Sequence, residues 1–144
     1  MNTARQYSTF RLAENWYAVD VLQVQEIIRP QEMTRVPLAS PVVSGLINLR
    51  GQLVTALDLR RRLDLAPRTD GREPMNVVIR TAEGPVSLLV DEIGDVLEID
   101  SKDLEVPPET VEPGLRALLT SVARLDGRLL LLLDLEAVME LSPA

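Results

Sequence analysis

The sequence predicts an all-β protein with short helices, organised as two small barrels side by side in a pseudo-twofold arrangement. Three observations lead there. The chain nearly repeats itself: Leu49-Arg50-Gly51-Gln52-Leu53-Val54-Thr55-Ala56-Leu57-Asp58-Leu59 returns as Leu125-Asp126-Gly127-Arg128-Leu129-Leu130-Leu131-Leu132-Leu133-Asp134-Leu135, with the Gly, the apolar run and the Asp-Leu at the same spacing. Val19-Asp20-Val21-Leu22-Gln23-Val24-Gln25-Glu26-Ile27 likewise returns as Val90-Asp91-Glu92-Ile93-Gly94-Asp95-Val96-Leu97-Glu98-Ile99, with one residue added. Short apolar runs alternate with turn formers at close intervals, as in sandwiches and barrels. Finally, the 144 residues are 46% hydrophobic and 3% aromatic, so a single domain's length of chain carries a core of Leu, Val and Ile. Burying one such side chain contributes roughly 1.5–3 kcal/mol, so several dozen suffice without metal, disulfide or cofactor.

In chain order, Gln6–Leu12 and Trp16–Val21 read as strands of a hairpin turning at Ala13-Glu14-Asn15. Leu22–Ile28 fits strand or a helical turn. Arg29-Pro30 and Pro37 mark a loop with a short strand at Met33–Val36. Ser40-Pro41 opens a helical turn, where Pro loses no hydrogen bond. Gly45–Leu49 and Gln52–Leu57 form the first strong hairpin around Arg50-Gly51. Asp58 is placed to cap a short helix, Leu59–Leu63, and Asp134 to cap Leu135–Leu141, where Leu135, Val138 and Met139 share a face.

Ala66–Pro74, rich in turn formers, reads as the linker between subdomains of about 16–66 and 75–135, the terminal segments completing each barrel of a single domain over 1–144. Asn76–Thr81 and Val86–Val90 form the next hairpin across Ala82-Glu83-Gly84-Pro85, and Val96–Ile99 continues in the manner of the first unit. Ser101–Pro113 is an acidic loop stiffened by Pro107-Pro108. Gly114–Leu119 reads as a short helix. Leu118–Leu125 and Arg128–Leu133 close on Asp126-Gly127, a strong turn signal because both residues tolerate positive φ. Leu129–Leu133 is apolar throughout and must be covered on both faces, as a strand between the two halves would be.

Composition excludes several chemistries. Cys and His are absent, which removes thiol nucleophiles, disulfides, Fe–S clusters, Cys/His zinc sites and the usual neutral-pH base. Net charge is −7, from 15 basic and 22 acidic residues, whereas a duplex-binding surface needs clustered cations. All basic residues but Lys102 are Arg, a residue suited to interfaces and equally a product of a GC-rich genome. No apolar run reaches the ~20 residues that span a bilayer, and Met1–Gln6 lacks a signal-peptide pattern. The compartment these features imply is the cytoplasm, without membrane insertion.

Several segments together resemble the CheW family of chemotaxis coupling proteins: Trp16-Tyr17-Ala18-Val19-Asp20-Val21, Val24-Gln25-Glu26-Ile27, Thr34-Arg35-Val36-Pro37, Gly45-Leu46-Ile47-Asn48-Leu49-Arg50-Gly51 and Leu57-Asp58-Leu59-Arg60. Leu89-Val90-Asp91, Val96-Leu97, Pro107-Pro108 and Leu125-Asp126-Gly127-Arg128-Leu129 follow in family order over nearly the whole chain. The resemblance implies two five-stranded, SH3-like barrels and no catalysis. It also implies a scaffold that couples the cytoplasmic helical-hairpin tip of chemoreceptors to a CheA-type histidine kinase regulatory domain. In that family the tip docks in an apolar groove between the barrels, and barrel ends meet the kinase. The resemblance carries the receptor side onto Val24, Glu26, Gly45, Asn48, Leu49, Arg50 and Val96. It assigns no kinase-side residue, no metal and no cofactor, and leaves self-association in arrays open.

Each of these residues has a plainer structural role. Arg50 could form an internal pair holding the Asn48–Gly51 turn, although Asp126 in the second copy shows that such a turn does not demand Arg. Glu26 could be a solvated charge, Val24 and Val96 core, and Gly45 a backbone requirement. Arg60-Arg61-Arg62 reads as a solvated helix face, and Asp91, Glu92 and Asp95 as a polar strand edge. Alternatives are a CheW-like adaptor of a pilus-motility or developmental pathway, or an enzyme using Asp58, Asp91 or Asp134. The enzyme reading requires two converging carboxylates with one pKa raised.

Overall fold

The computed structural model describes residues 4–69 and 71–140. They form eleven strands and three short helices, arranged in two sheets. In order these are β1 (Ala4–Leu12), β2 (Asn15–Asp20), β3 (Val24–Ile28), β4 (Val43–Leu49), β5 (Gln52–Asp58), α1 (Leu59–Arg62), β6 (Met75–Thr81) and β7 (Gly84–Val90). There follow β8 (Glu92–Asp100), β9 (Leu104–Glu105), α2 (Pro113–Arg116), β10 (Leu119–Leu125), β11 (Arg128–Leu133) and α3 (Leu135–Met139). The class is all-β, as expected. Leu22–Ile28 resolves into both readings, a 3₁₀ turn at Val21–Gln23 followed by strand. The expected strand at Met33–Val36 shrinks to one bridge, Thr34 to Leu46. Helix α3 ends at Met139; Leu141, the expected end, lies outside the described residues.

Both sheets follow one plan. The five-stranded sheet runs β3-β6-β7-β5-β4 and the six-stranded sheet β8-β1-β2-β11-β10-β9. In each, two antiparallel hairpins meet along a parallel pair, β5 with β7 (Leu57 opposite Leu88) and β2 with β11 (Tyr17 opposite Leu131). The sixth strand departs from the expected five per barrel. It is the two-residue β9, pairing with β10 where the other sheet has only the Thr34–Leu46 bridge onto β4.

The sheets are rolled. β8 and β9 lie at opposite edges of the six-stranded sheet, yet only Ser101–Asp103 separates them in the chain. A flat sheet would put those edges about 24 Å apart, and four residue steps reach at most about 14 Å. In the other sheet the edge strands are drawn together by the Thr34–Leu46 bridge and by an ion pair from the β4–β5 turn to β3.

The chain forms two compact units, Leu22–Glu92 and a second made of Met1–Val21 with Ile93–Ala144. The expected subdomains 16–66 and 75–135 follow the sequence repeat instead, and the units do not coincide with them. The reason is local. One residue, Asp91, separates β7 from β8, and a hairpin needs at least two loop residues. β8 therefore cannot fold back on β7; it pairs with β1, while β3, which follows β2, pairs with β6. Each sequence repeat thus places its third strand in the sheet built around the other repeat's first hairpin.

Alternation fixes each core. In Leu22–Glu92 the buried cluster is Ile47, Leu49, Val54, Ala56, Val78 and Leu89, with i, i+2 pairs from β4 and β5 on one face. In the other unit it is Tyr7, Ala18, Ile99, Ala123, Leu130 and Leu132. The opposite faces are buried as well: Phe10 and Tyr17 stack at 6.3 Å, and Leu131 and Leu133 are nearly inaccessible. The apolar run of β11 is covered on both faces, as its composition requires, and it lies inside the six-stranded sheet between β2 and β10. Both expected caps are formed. The Asp58 carboxylate accepts from the Arg61 N–H at 3.3 Å, and that of Asp134 from the Ala137 N–H at 3.2 Å.

Leu131→Asp is expected to abolish cooperative folding, because an unpaired carboxylate would sit in an apolar strand flanked on both sides. A thermal melt with an unchanged midpoint would contradict this placement.

Candidate functional site

The β4–β5 turn is the most informative local structure. Arg50 (φ +51) and Gly51 (φ +87) are both left-handed, closing the Leu49–Gln52 pair with a type I′ turn. Asp126 (φ +47) and Gly127 (φ +77) form the same turn between β10 and β11. Asp suits this backbone better than Arg does. The turn itself is held by Asn48, whose Oδ1 accepts from the Gly51 N–H at 2.8 Å. The internal pair of the plainer reading does form, but it ties Arg50 across to β3, while Asn48 closes the turn itself.

The Arg50 guanidinium grips Glu26 on β3. Arg50 Nη1 donates to Glu26 Oε1 at 3.0 Å and Nη2 donates to Oε2, a two-point contact between fork and carboxylate. The Arg50 side chain remains 71% exposed. The Gln25 side-chain amide adds a donor to Glu26 Oε2 at 3.3 Å. Hydrogen bonding from Arg50, then from Gln25, holds the Glu26 carboxyl below its ordinary 4.5, with partial desolvation opposing. The same contact pushes the Arg50 pKa upward.

Within Leu22–Glu92 the structure brings Glu26, Asn48 and Arg50 to one corner. Leu53, directly opposite Asn48 in the register, adds an apolar side chain that is 65% exposed, and Ile27 beside Glu26 is also exposed. Sequence reasoning passed over Leu53. The signal was present: Val54 and Ala56 take the inward positions of β5, which leaves Leu53 at an outward one. The remaining expected residues play other parts. Val24 is half-buried at a β-bulge, opposite Ile79. Leu49 points into the core. Gly45 is buried, and a Cβ there would stand 2.6 Å from the Thr34 carbonyl oxygen. Two backbone bonds of 2.8 Å between Thr34 and Leu46 stitch the β3–β4 loop down at that point, so Gly45 serves close approach rather than contact. Val96 lies in the other unit, on β8, and is exposed.

The carboxylates of the enzyme alternative are each occupied structurally. Asp58 and Asp134 cap their own helices. Asp91 is gripped by Arg60 and Arg68, with its side chain 6% exposed. This overturns the reading of Asp91 as a polar strand edge and of Arg60 as solvated. Burial at the β7–β8 junction makes pairing obligatory, because an unpaired carboxylate there would lose its hydration. Among the described residues no group of three acidic side chains is arranged to hold a metal ion, and no helix is long and apolar enough to cross a membrane.

Two measurements check this geometry. Because Glu26 titrates below its unfolded value, its pair is fully formed above about pH 4.5 and is lost as pH falls through the lowered folded value. A carbon-detected NMR titration should place the Glu26 midpoint below 4.5, and Arg50→Asn should move it upward; a wild-type midpoint at or above 4.5 would discount the pair. Gly45→Ala should destabilise the protein by about 1–3 kcal/mol in urea unfolding, since the blocking atom belongs to backbone; an unchanged midpoint would show that the loop yields freely.

Comparison with known proteins agrees with this architecture. The family model described as CheW-like domain matches residues 6–142. The chemotaxis protein CheW of Bacillus subtilis (strain 168) is 31% identical over 140 residues, covering 97% of this chain and 90% of that protein. The chemotaxis protein CheW of Thermotoga maritima is 28% identical over 133 residues, covering 92% and 85%. The crystal structure of the scaffolding protein TtCheW from Thermoanaerobacter tengcongensis superposes with a TM-score of 0.86 at 25% identity, covering 97% of this chain and 95% of that one. With the rolled sheets, the paired turns and a match over nearly its full length, this chain belongs to the CheW-like domain family, a family of chemotaxis scaffolds and not of enzymes.

Proposed function

We propose that this protein couples the cytoplasmic helical-hairpin tip of chemoreceptors to a CheA-type histidine kinase regulatory domain, acting in the cytoplasm at receptor arrays. The observation that carries the receptor side is Arg50. It is held at an unfavourable backbone angle, fixed by Glu26, and left largely exposed beside Leu53. A helix docking on such a corner gains an apolar anchor and a preoriented cation whose free N–H groups meet acceptors on the incoming chain. Prior fixation by Glu26 lowers the ordering entropy that a flexible Arg would lose on binding.

In this reading Asn48 and Glu26 act by holding Arg50, and Gly45 and Leu49 by fixing the strand that carries it. Val24 supports β3 at its bulge. Val96, in the other unit, is a contact to be tested on its own.

A titration of a soluble receptor signalling tip, with the kinase regulatory domain in a parallel titration, tests the proposal. Arg50→Asp and Leu53→Asp should each weaken tip binding roughly tenfold or more, the scale of losing an interface anchor, while the melting curve stays cooperative. Asp is compatible with the turn, as Asp126 demonstrates. Val96→Asp reports separately on β8. Wild-type protein that is folded and binds neither partner defeats the proposal, and full tip affinity in Arg50→Asp removes Arg50 from it.

A further inference from the structure

We propose that the described residues between α1 and β6, 65–69 and 71–74, include a strap that Arg68 latches onto the buried carboxylate of Asp91 and that can release while the sheet beneath it stays folded. This inference stands apart from the coupling role and rests on how Arg60 and Arg68 each hold the Asp91 carboxylate. Arg60, fixed on α1, takes both carboxylate oxygens, Nε to Oδ1 at 2.9 Å and Nη2 to Oδ2 at 2.5 Å. Arg68 adds a single contact, Nη2 to Oδ1 at 2.5 Å. The three side chains are largely withdrawn from water, 14% exposed for Arg60, 17% for Arg68 and 6% for Asp91.

The two arginines hold different kinds of structure. Arg60 anchors the root of the strap: its Nη1 donates to the Ala66 carbonyl at 2.9 Å, and its own carbonyl accepts from the Leu65 N–H at 2.7 Å. Beyond Ala66 the described residues of the strap belong to no helix or strand. Pro67 stiffens the chain just before the latch, and Gly71, at φ +74, supplies a bend that L side chains resist. The far end, at Glu73 and Pro74, borders a shallow cleft with Pro30 and Met33.

Release of Arg68 therefore leaves Asp91 still bound at both oxygens by Arg60, so no buried carboxylate is stranded. The departing guanidinium regains water, and the repulsion between two cations sharing one anion is relieved. Release of Arg60 would instead expose the root of the strap and the end of α1 together. Arg68 is the detachable half of the clamp and Arg60 the fixed half.

The chain contains no Cys, so Thr69→Cys, at an exposed position beside the latch, accepts one nitroxide label for electron paramagnetic resonance. In an otherwise wild-type background the spectrum should be dominated by a slow component, with a fast component growing before the global melt. Arg68→Met should raise the fast-to-slow ratio roughly tenfold or more, the scale of losing a charge-assisted hydrogen bond. Arg68→Lys should restore part of the slow component. The melting midpoint of Arg68→Met should stay within about 4 °C of wild type. An unchanged ratio in Arg68→Met overturns the latch. So does a single slow component that persists to the global melt, or an Arg68→Met protein that melts far lower or does not fold, since Arg68 would then belong to the core.

Discussion

Parallel pairing of strands from distant parts of the chain is the constraint on which the rest of this structure depends. β5 meets β7, and β2 meets β11, each joining two hairpins into one rolled sheet. Hairpins form from local sequence and are marginal alone. The parallel seam places Leu131 and Leu88 on interior strands, where both are buried. It also sets where the edge strands fall, and so brings Glu26 on β3 within reach of Arg50 at the end of β4.

Ion pairs serve different purposes in this fold according to burial. Arg50–Glu26 lies at an exposed corner and orients a side chain; its contribution to stability is small and its contribution to geometry large. The Arg60–Asp91–Arg68 clamp lies where the chain leaves β7, withdrawn from solvent. There a carboxylate without its partners would be strongly destabilising. In a protein with a single Lys, guanidinium forks do this work at both places, gripping carboxylates through two N–H groups where an ammonium would offer a point charge.

The two copies of the duplicated unit differ at the surface. The same hairpin turn occurs twice, with Arg50 in one copy and Asp126 in the other, both left-handed. Asp126 is the residue that the backbone favours, and Arg50 is the departure from it. The same asymmetry recurs at the outward positions that follow, where Leu53 is exposed and Leu129, its counterpart, is half-buried. Two copies of one architecture have thus diverged at the surface while their caps, Asp58 and Asp134, still make the same bond three residues on.

By itself the sequence determined most of the strands, the main hairpins with their turns and the two Asp helix caps, because each follows from side-chain alternation, glycine at positive φ or a carboxylate before a helix, all read within a few residues; the expected strand at Met33–Val36 and the unexpected β9 are the exceptions. The family resemblance was likewise legible in the motif order. Tertiary structure decided the rest. Which strands pair is set by contacts between segments more than a hundred residues apart in the case of β2 and β11, so the compact units cross the boundaries of the repeat. Sequence patterning leaves residues 91–95 between the two strands; only the structure shows that Asp91 alone separates β7 from β8 and where β8 goes. The fates of Arg60 and Asp91 were hidden for the same reason: a charged residue reads as solvated until a distant partner is shown to remove the water from it.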